Sequence, residues 1–313
     1  MSWQGLVHTF DSVDSTMHVA RCLATGVAWE EPAPAESGRP RGPRAAAPEG
    51  TSVVAHSQSA GRGRRGRRWA SPAHGGLWMT TILRPEGPPA SLGSLALLAG
   101  AAVLQAVQSL LPPELPQHLQ PQLKWPNDVL VGRRKLAGIL LEAEDLLGAH
   151  PYILVGIGIN LAPRQSCTQL PAEVAERYVG LQDLLLTPQR GQQLQPAQTQ
   201  QAEQARPQKL GPQTGPNLQQ SLLQAVLQTL QAHYLTWKQH GLAATLAAWH
   251  GADALEGHLV RICAAGGTIE GTACGLAADG RLQVRTAQGV VCVLAGEVQL
   301  LEAHLPQAPP VAC

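Results

Sequence analysis

Three short stretches hold residue types suited to phosphate and carboxylate chemistry. The first is Gln58-Ser-Ala-Gly61-Arg62-Gly63-Arg64-Arg65-Gly66-Arg67-Arg68-Trp69. Its glycines let the backbone fold closely around a ligand, and its guanidiniums offer planar forks of donors, a composition built for phosphate. A solvated basic loop or an RNA-binding Arg-Gly tail would carry the same letters. This run, however, lies between two apolar, β-branched segments, Thr51 to His56 and Leu77 to Leu83, which makes it a loop on a folded sheet. The second stretch is Lys124-Trp-Pro-Asn127-Asp128, with Lys135-Leu-Ala-Gly138-Ile-Leu-Leu-Glu142 following it. A lysine opening an apolar strand is usually only a strand-end charge, so Lys135 alone decides nothing. The third is Gly156-Ile-Gly158-Ile-Asn160, a strand ending in glycines that admit close approach. It is not a dinucleotide fingerprint, because Pro163 follows and no helix start with a third glycine is present.

These stretches need a scaffold, and the composition supplies one. Of 313 residues 44% are hydrophobic and 14% charged, so a sizeable core is available and a charge-rich disordered chain is excluded. The formal net charge is +1, so no overall field drives binding to nucleic acid or to an anionic membrane, and any such function must sit in a patch. The six cysteines show no Cys-x-x-Cys pair and no zinc-finger spacing to histidine, which reads as reduced thiols in a cytoplasmic protein. No signal peptide is visible at the N-terminus. Ser91 to Leu111 is about the ~20 residues that span a bilayer, but its Gln105, Gln108 and Ser109 and the stop at Pro112-Pro113 suit a buried helix better.

Periodicity predicts a short capped helix within Phe10 to Leu23 and strands over Thr51 to His56, Leu77 to Leu83, Lys135 to Glu142 and Tyr152 to Ile159. Leu92 to Leu111 reads as an apolar helix, and Leu123 to Val131 as strand, turn and strand around Pro126-Asn127-Asp128. Leu218 to Lys238 is an amphipathic helix with Leu222, Val226, Leu230, Tyr234 and Trp237 on one face and Gly241 as its stop. From Gly257 onward five short strands suggest a small C-terminal barrel. The proline-rich 27–50 and the Gln/Pro-rich 187–217 read as flexible insertions. The expected organisation is a catalytic domain over 1–255, a small β-domain over 256–302 and a disordered tail over 303–313.

Taken together and in this order, the stretches resemble the biotin protein ligase family. The resemblance rests on Asp14-Ser15-Thr16 before a helix, the loop Gly61 to Arg67, the Lys-Trp-Pro-Asn-Asp block, Lys135-Leu-Ala-Gly138-Ile-Leu, the Gly-x-Gly-x-Asn strand and the C-terminal barrel. Insertions apart, it covers most of residues 8–302. It implies an α+β fold: a mixed-sheet catalytic domain related to class II aminoacyl-tRNA synthetases, followed by an SH3-like barrel. It also implies a biotin–[acetyl-CoA-carboxylase] ligase that uses ATP, biotin and Mg²⁺ to modify a lysine of a biotin carboxyl carrier protein.

Residue by residue, the resemblance implies that Ser15, Thr16, Gln58, Gly61, Arg62, Gly63, Arg64, Trp69, Lys135 and Gly138 contact biotin or biotinoyl-AMP. Arg67, Lys124, Asn127, Asp128, Gly158 and Asn160 match the nucleotide region, Asp128 is the candidate magnesium ligand, and Lys135, Arg64 and Arg67 match catalytic positions. Met17 stands where the family commonly has asparagine. Members with a DNA-binding helix-turn-helix carry it before this segment, so a monofunctional ligase with no DNA or membrane partner is expected; a homodimer is left open. The rivals are a lipoate or octanoate transferase and a non-enzymatic RNA-binding protein. The chemistry asks for these residue types independently: a carboxylate attacking the α-phosphorus of ATP expels pyrophosphate, whose charge Arg and Lys must balance.

Overall fold

The β-branched runs lie side by side in one sheet, and the arginine loop hangs from it. The computed structural model describes residues 3, 5–28, 45–86, 93–145, 151–168, 170–186, 216–264 and 266–301. In chain order its main elements are β1 (Val7–Val13), α1 (Thr16–Thr25), β2 (Ser52–Gln58), β3 (Gly76–Leu83), α2 (Leu95–Gln108), β4 (Pro121–Lys124), β5 (Asp128–Val131), β6 (Arg134–Glu144) and β7 (Tyr152–Asn160). There follow α3 (Ala172–Glu176), α4 (Leu181–Leu185), α5 (Pro216–His240), α6 (Ala243–His250), β8 (Leu259–Ala264), β9 (Gly267–Leu276), β10 (Leu282–Thr286), β11 (Gly289–Val293) and β12 (Glu297–Leu300). Seven strands make a sheet in the order β1-β2-β3-β7-β6-β5-β4; β1 runs parallel to β2 and the other pairs are antiparallel, so the sheet is mixed as expected.

Alternation along the strands sorts the side chains into two layers. Val54, Leu77, Met79, Val155, Ile157 and Ile159 pack with α2 and α5 in the larger core. Val53, Ala55, Ile82 and Leu154 face α1, whose Met17, Val19, Ala20 and Leu23 complete a smaller one. The stripe of α5, Leu222, Val226, Leu230 and Tyr234, is wholly buried, each side chain contributing about 1.5–3 kcal/mol relative to exposure. Helix α2 is apolar on nearly all sides because it lies between the sheet, α5 and α6. Among the described residues no helix is long and apolar enough to cross a membrane.

The last five strands form an antiparallel sheet in the order β11-β10-β9-β8-β12. Its Val260, Ile262, Leu282, Val284 and Val298 belong to the same buried cluster as α2 and α5. The chain leading into it is pinned to the edge strand β4: Leu123 N donates to Ala252 O (2.7 Å) and Ala254 N to Leu123 O (2.8 Å). Trp125 Nε1 donates to Gly280 O at 3.1 Å, tying a turn of the second sheet to the Lys-Trp-Pro-Asn-Asp block.

The structure corrects the reading of Phe10 to Leu23. Val7–Val13 is a strand, and the helix starts only at Thr16. Of the possible caps Asp11, Ser12, Asp14 and Ser15, Ser15 is the N-cap of the helix, whereas Asp11 and Ser12 lie in an edge strand whose side chains are largely exposed. Helix α6 was not anticipated either, because Gly241, with φ 68°, ends α5 and a new helix begins directly after it. Ala45 to Gly50, the last part of the expected 27–50 loop, is anchored: Glu49 Oε1 accepts from Tyr234 Oη (2.7 Å) and Arg84 N (2.9 Å). Most of the rest of that loop, residues 187–215 and the tail 303–313 lie outside the described residues.

Candidate active site

On the sheet face toward α1, β6 and β7 place glycine opposite glycine. Gly138 and Gly158 are cross-strand partners there, and Gly156 lies two residues earlier on β7. The indole of Trp69 rests on this floor. A Cβ at Gly158 would stand 2.7 Å from Trp69 Cε2, and one at Gly138 would stand 2.8 Å from Trp69 Cζ3, so only glycine fits under the ring at either position. Trp78 meets Trp69 edge to face at 6.3 Å between centroids. Trp69 Nε1 is buried without a hydrogen-bond partner, as is Ser15 Oγ at the head of α1.

The arginine loop is a small flap. Arg62 bridges Arg68, Gly63 N donates to Arg67 O (2.8 Å), and Trp69 N donates to Gly61 O (2.9 Å). At its tip Gly66 has φ 70°, which glycine adopts without cost. Its arginines diverge. Arg64 Nη1 turns inward and donates to Asn127 Oδ1 (2.9 Å), while Asn127 Nδ2 donates to Ile139 O (2.7 Å). Arg62 is held by Glu142 (2.8 Å), which also pairs with Arg21 (2.5 Å). Arg67 pairs outward with Glu297.

Behind Arg64 lie Lys124, Asp128 and Lys135. Lys135 Nζ is 2.7 Å from Asp128 Oδ1 and 5.0 Å from the centre of a Trp69 ring. Burial lowers the pKa of Lys124, opposed by the charge of Asp128, and burial lowers that of Arg64, again with Asp128 opposing. Three cations thus face one carboxylate, an excess of positive charge in a partly desolvated place. Such a site draws a polyanion. Among the described residues no three His, Cys, Asp or Glu gather as metal ligands. With Asp128 already beside Lys135, the donor set offers a single carboxylate to a divalent cation and does not make a resident metal centre.

At the head of α1, Gln58 Oε1 accepts from Thr16 N (2.8 Å) and Thr16 Oγ1 (3.2 Å), and Gln58 Nε2 donates to Ser71 Oγ (2.8 Å). Thr16 Oγ1 also lies 2.8 Å from Thr80 Oγ1. Met17 packs against Gly156, where a Cβ would stand 2.9 Å from its sulfur. Asn160 Nδ2 donates to Lys135 O (2.9 Å), so the asparagine braces the lysine from behind.

The structure therefore gathers Arg64, Trp69, Lys124, Asn127, Asp128, Lys135, Gly138 and Gly158 in one place, with Thr16 and Gln58 paired, and Ser15 beside them, at the head of α1. Arg62 and Arg67 are turned to carboxylates at the two sides of the flap. Sequence reasoning missed Ser71, Thr80 and Glu297. The hydroxyls carry no local signal, and Glu297 reaches the loop only through the packing of the second sheet.

Both sheets find matches among known proteins. The profile of the Biotin/lipoate A/B protein ligase family matches residues 43–160, and that of the Biotin protein ligase C terminal domain matches residues 257–301. A Bacillus spizizenii protein named Bifunctional ligase/repressor BirA is 30% identical over 254 residues, which is 81% of this chain and 67% of that protein. The Mycobacterium tuberculosis biotin–[acetyl-CoA-carboxylase] ligase is 40% identical over 139 residues, covering 44% of this chain and 46% of its own length. Among solved structures, the biotin protein ligase of Aquifex aeolicus in complex with biotin and ATP shares the fold, with a TM-score of 0.66 at 23% identity over 96% of this chain and all of that one. The two profile matches fall on the mixed sheet with its arginine flap and on the five-stranded sheet, and place the chain in the biotin/lipoate protein ligase class. The chain belongs to the biotin protein ligase family, enzymes that join biotin to protein.

Proposed function

We propose that this ligase works in two steps, first making biotinoyl-5'-AMP from biotin and ATP and then passing the biotinoyl group to a lysine of the carrier domain of a biotin-dependent carboxylase. What supports the reading is the glycine floor of Gly138 and Gly158 under the Trp69 indole, set beside the cations Arg64, Lys124 and Lys135. The flat bicyclic ring of biotin would bind at this floor, where the buried Ser15 Oγ and Trp69 Nε1 have unused hydrogen-bond capacity. The acid's carboxylate then lies beside Lys135, and the triphosphate lies among Arg64, Lys124 and Lys135.

In the first step a carboxylate oxygen attacks the α-phosphorus and pyrophosphate leaves. Lys135 and Arg64 balance the charge that develops, as preorganised donors that need little reorganisation. Magnesium, carried on the phosphates, supplies further charge neutralisation. In the second step the carrier's amine attacks the acyl carbon and AMP leaves. Between the steps the mixed anhydride must be kept from water, the task for which the flap and Trp69 are positioned. The test is to incubate the full chain with ATP, a carboxylase carrier domain and either biotin or lipoate, and to read intact masses. A single biotinoyl addition on one carrier lysine is expected. No addition, or addition of lipoate in preference, would overturn the reading.

A further inference from the structure

We propose that Glu297 is a positioning residue for the arginine flap, through which the C-terminal sheet sets how firmly the flap closes over the acyl adenylate. The inference rests on the two-step reading above for its chemical consequence; its structural basis is independent. Arg67 Nη2 donates to Glu297 Oε2, and Arg65 Nη1 lies 3.6 Å from the same oxygen. Arg65 Nη2 also donates to Cys263 O at 3.2 Å. Glu297 and Cys263 are directly opposite each other across β12 and β8, so two arginines from the flap tip grip a single rung of the second sheet.

That rung is rigid. The adjoining Val298 on β12 and Ile262 on β8 are buried in the main core, so Glu297 projects from a fixed base. The flap tip is the less firmly packed partner: Arg65, Gly66 and Arg67 are all exposed, and apart from these contacts the tip has no buried side chain to anchor it. On its other side Arg62 is fastened to Glu142. With the outer arginines held by carboxylates on both sides, Arg64 alone points inward to Asn127. Glu297 thereby sorts chemically identical side chains into one that meets the ligand and two that hold the door. It touches no reacting atom in this arrangement and acts through the arginines.

The experiment compares full-length wild type with Glu297→Gln, Arg65→Gln and Glu270→Gln. The last is a control, since Glu270 pairs with Arg261 on the same sheet and not with the flap. Two quantities are read: amide hydrogen exchange over residues 61–69 without added ligand, and the ratio of AMP released without carrier to biotin transferred with carrier. Glu297→Gln and Arg65→Gln are expected to raise both at least threefold, with the rate of adenylate formation within twofold of wild type, and Glu270→Gln to change neither. Unchanged exchange over 61–69 in either folded variant overturns the proposal, and so does faster exchange with an unchanged ratio. If the wild type makes no biotin-dependent AMP, the two-step reading fails, and the exchange measurement still decides whether Glu297 holds the flap.

Discussion

Replacing Lys135 by methionine separates a catalytic lysine from a strand-end charge. The side chain is 34% exposed and its partner Asp128 20%, so their ion pair is partly screened and contributes about 0–1 kcal/mol. The contact with the Trp69 ring, at 5.0 Å, adds roughly 0.5–1 kcal/mol. Asp128 is not left as a lone buried charge in the variant, because Arg64 and Lys124 still act on it. The stability loss is therefore about 1–2 kcal/mol, a drop of a few degrees in Tm for a chain of this size. Loss of a preorganised donor to a developing anion costs about 3–4 kcal/mol at the transition state, roughly two to three orders of magnitude in rate. Pyrophosphate exchange and thermal unfolding measured on the same preparation should show a large fall in the first and a small one in the second. Exchange within threefold of wild type would refute the role assigned to Lys135.

Three further outcomes follow from the site. Gly158→Ala places a methyl 2.7 Å from the Trp69 ring on the glycine floor; at about 1–3 kcal/mol for such overpacking, calorimetric biotin affinity should fall roughly 5- to 150-fold, and an unchanged Kd would show that biotin binds elsewhere. Arg64→Ala removes the inward guanidinium but leaves Arg67 and the flap glycines, so adenylate should form more slowly and escape before transfer; an unchanged ratio of carrier-free AMP to transferred biotin would mean that Arg64 does not retain it. The Arg67 guanidinium holds the Glu297 carboxyl below the usual carboxylate range. A depressed carboxyl stabilises the folded form above its unfolded value of about 4.3, and that contribution is lost as pH falls through the folded value, so the Arg67–Glu297 pair should persist across neutral pH and break only in acid. An NMR titration of Glu297 with a midpoint at or above the unfolded value would contradict this pairing.

Much of the site was legible because its residue types are costly to place without a purpose. Glycines in a buried strand, such as Gly156 and Gly158, forgo packing, and arginines clustered on one loop of a nearly neutral chain call for an anion. The central strands were legible for a simpler reason: β3 is buried along its whole length and reads as an apolar run interrupted only by the β-branched Thr80 and Thr81. β1 was not, because as an exposed edge strand it keeps polar residues, and its parallel pairing with β2 leaves no hairpin turn to betray it. The division of labour among the arginines was also illegible. Arg62, Arg64 and Arg67 look alike in sequence, and what separates them is contact with Glu142, Asn127 and Glu297, each of which lies more than sixty residues away along the chain.

The central claim is that this chain activates biotin by making an acyl adenylate at the junction of the glycine floor and the Arg64–Lys124–Lys135 pocket. Its most direct test is the exchange of labelled pyrophosphate into ATP with biotin present, absent, or replaced by lipoate, and with no carrier protein in the reaction. Exchange that depends on biotin and on a divalent cation is the expected result; exchange no higher than in the biotin-free control, or supported equally by lipoate, would contradict the account.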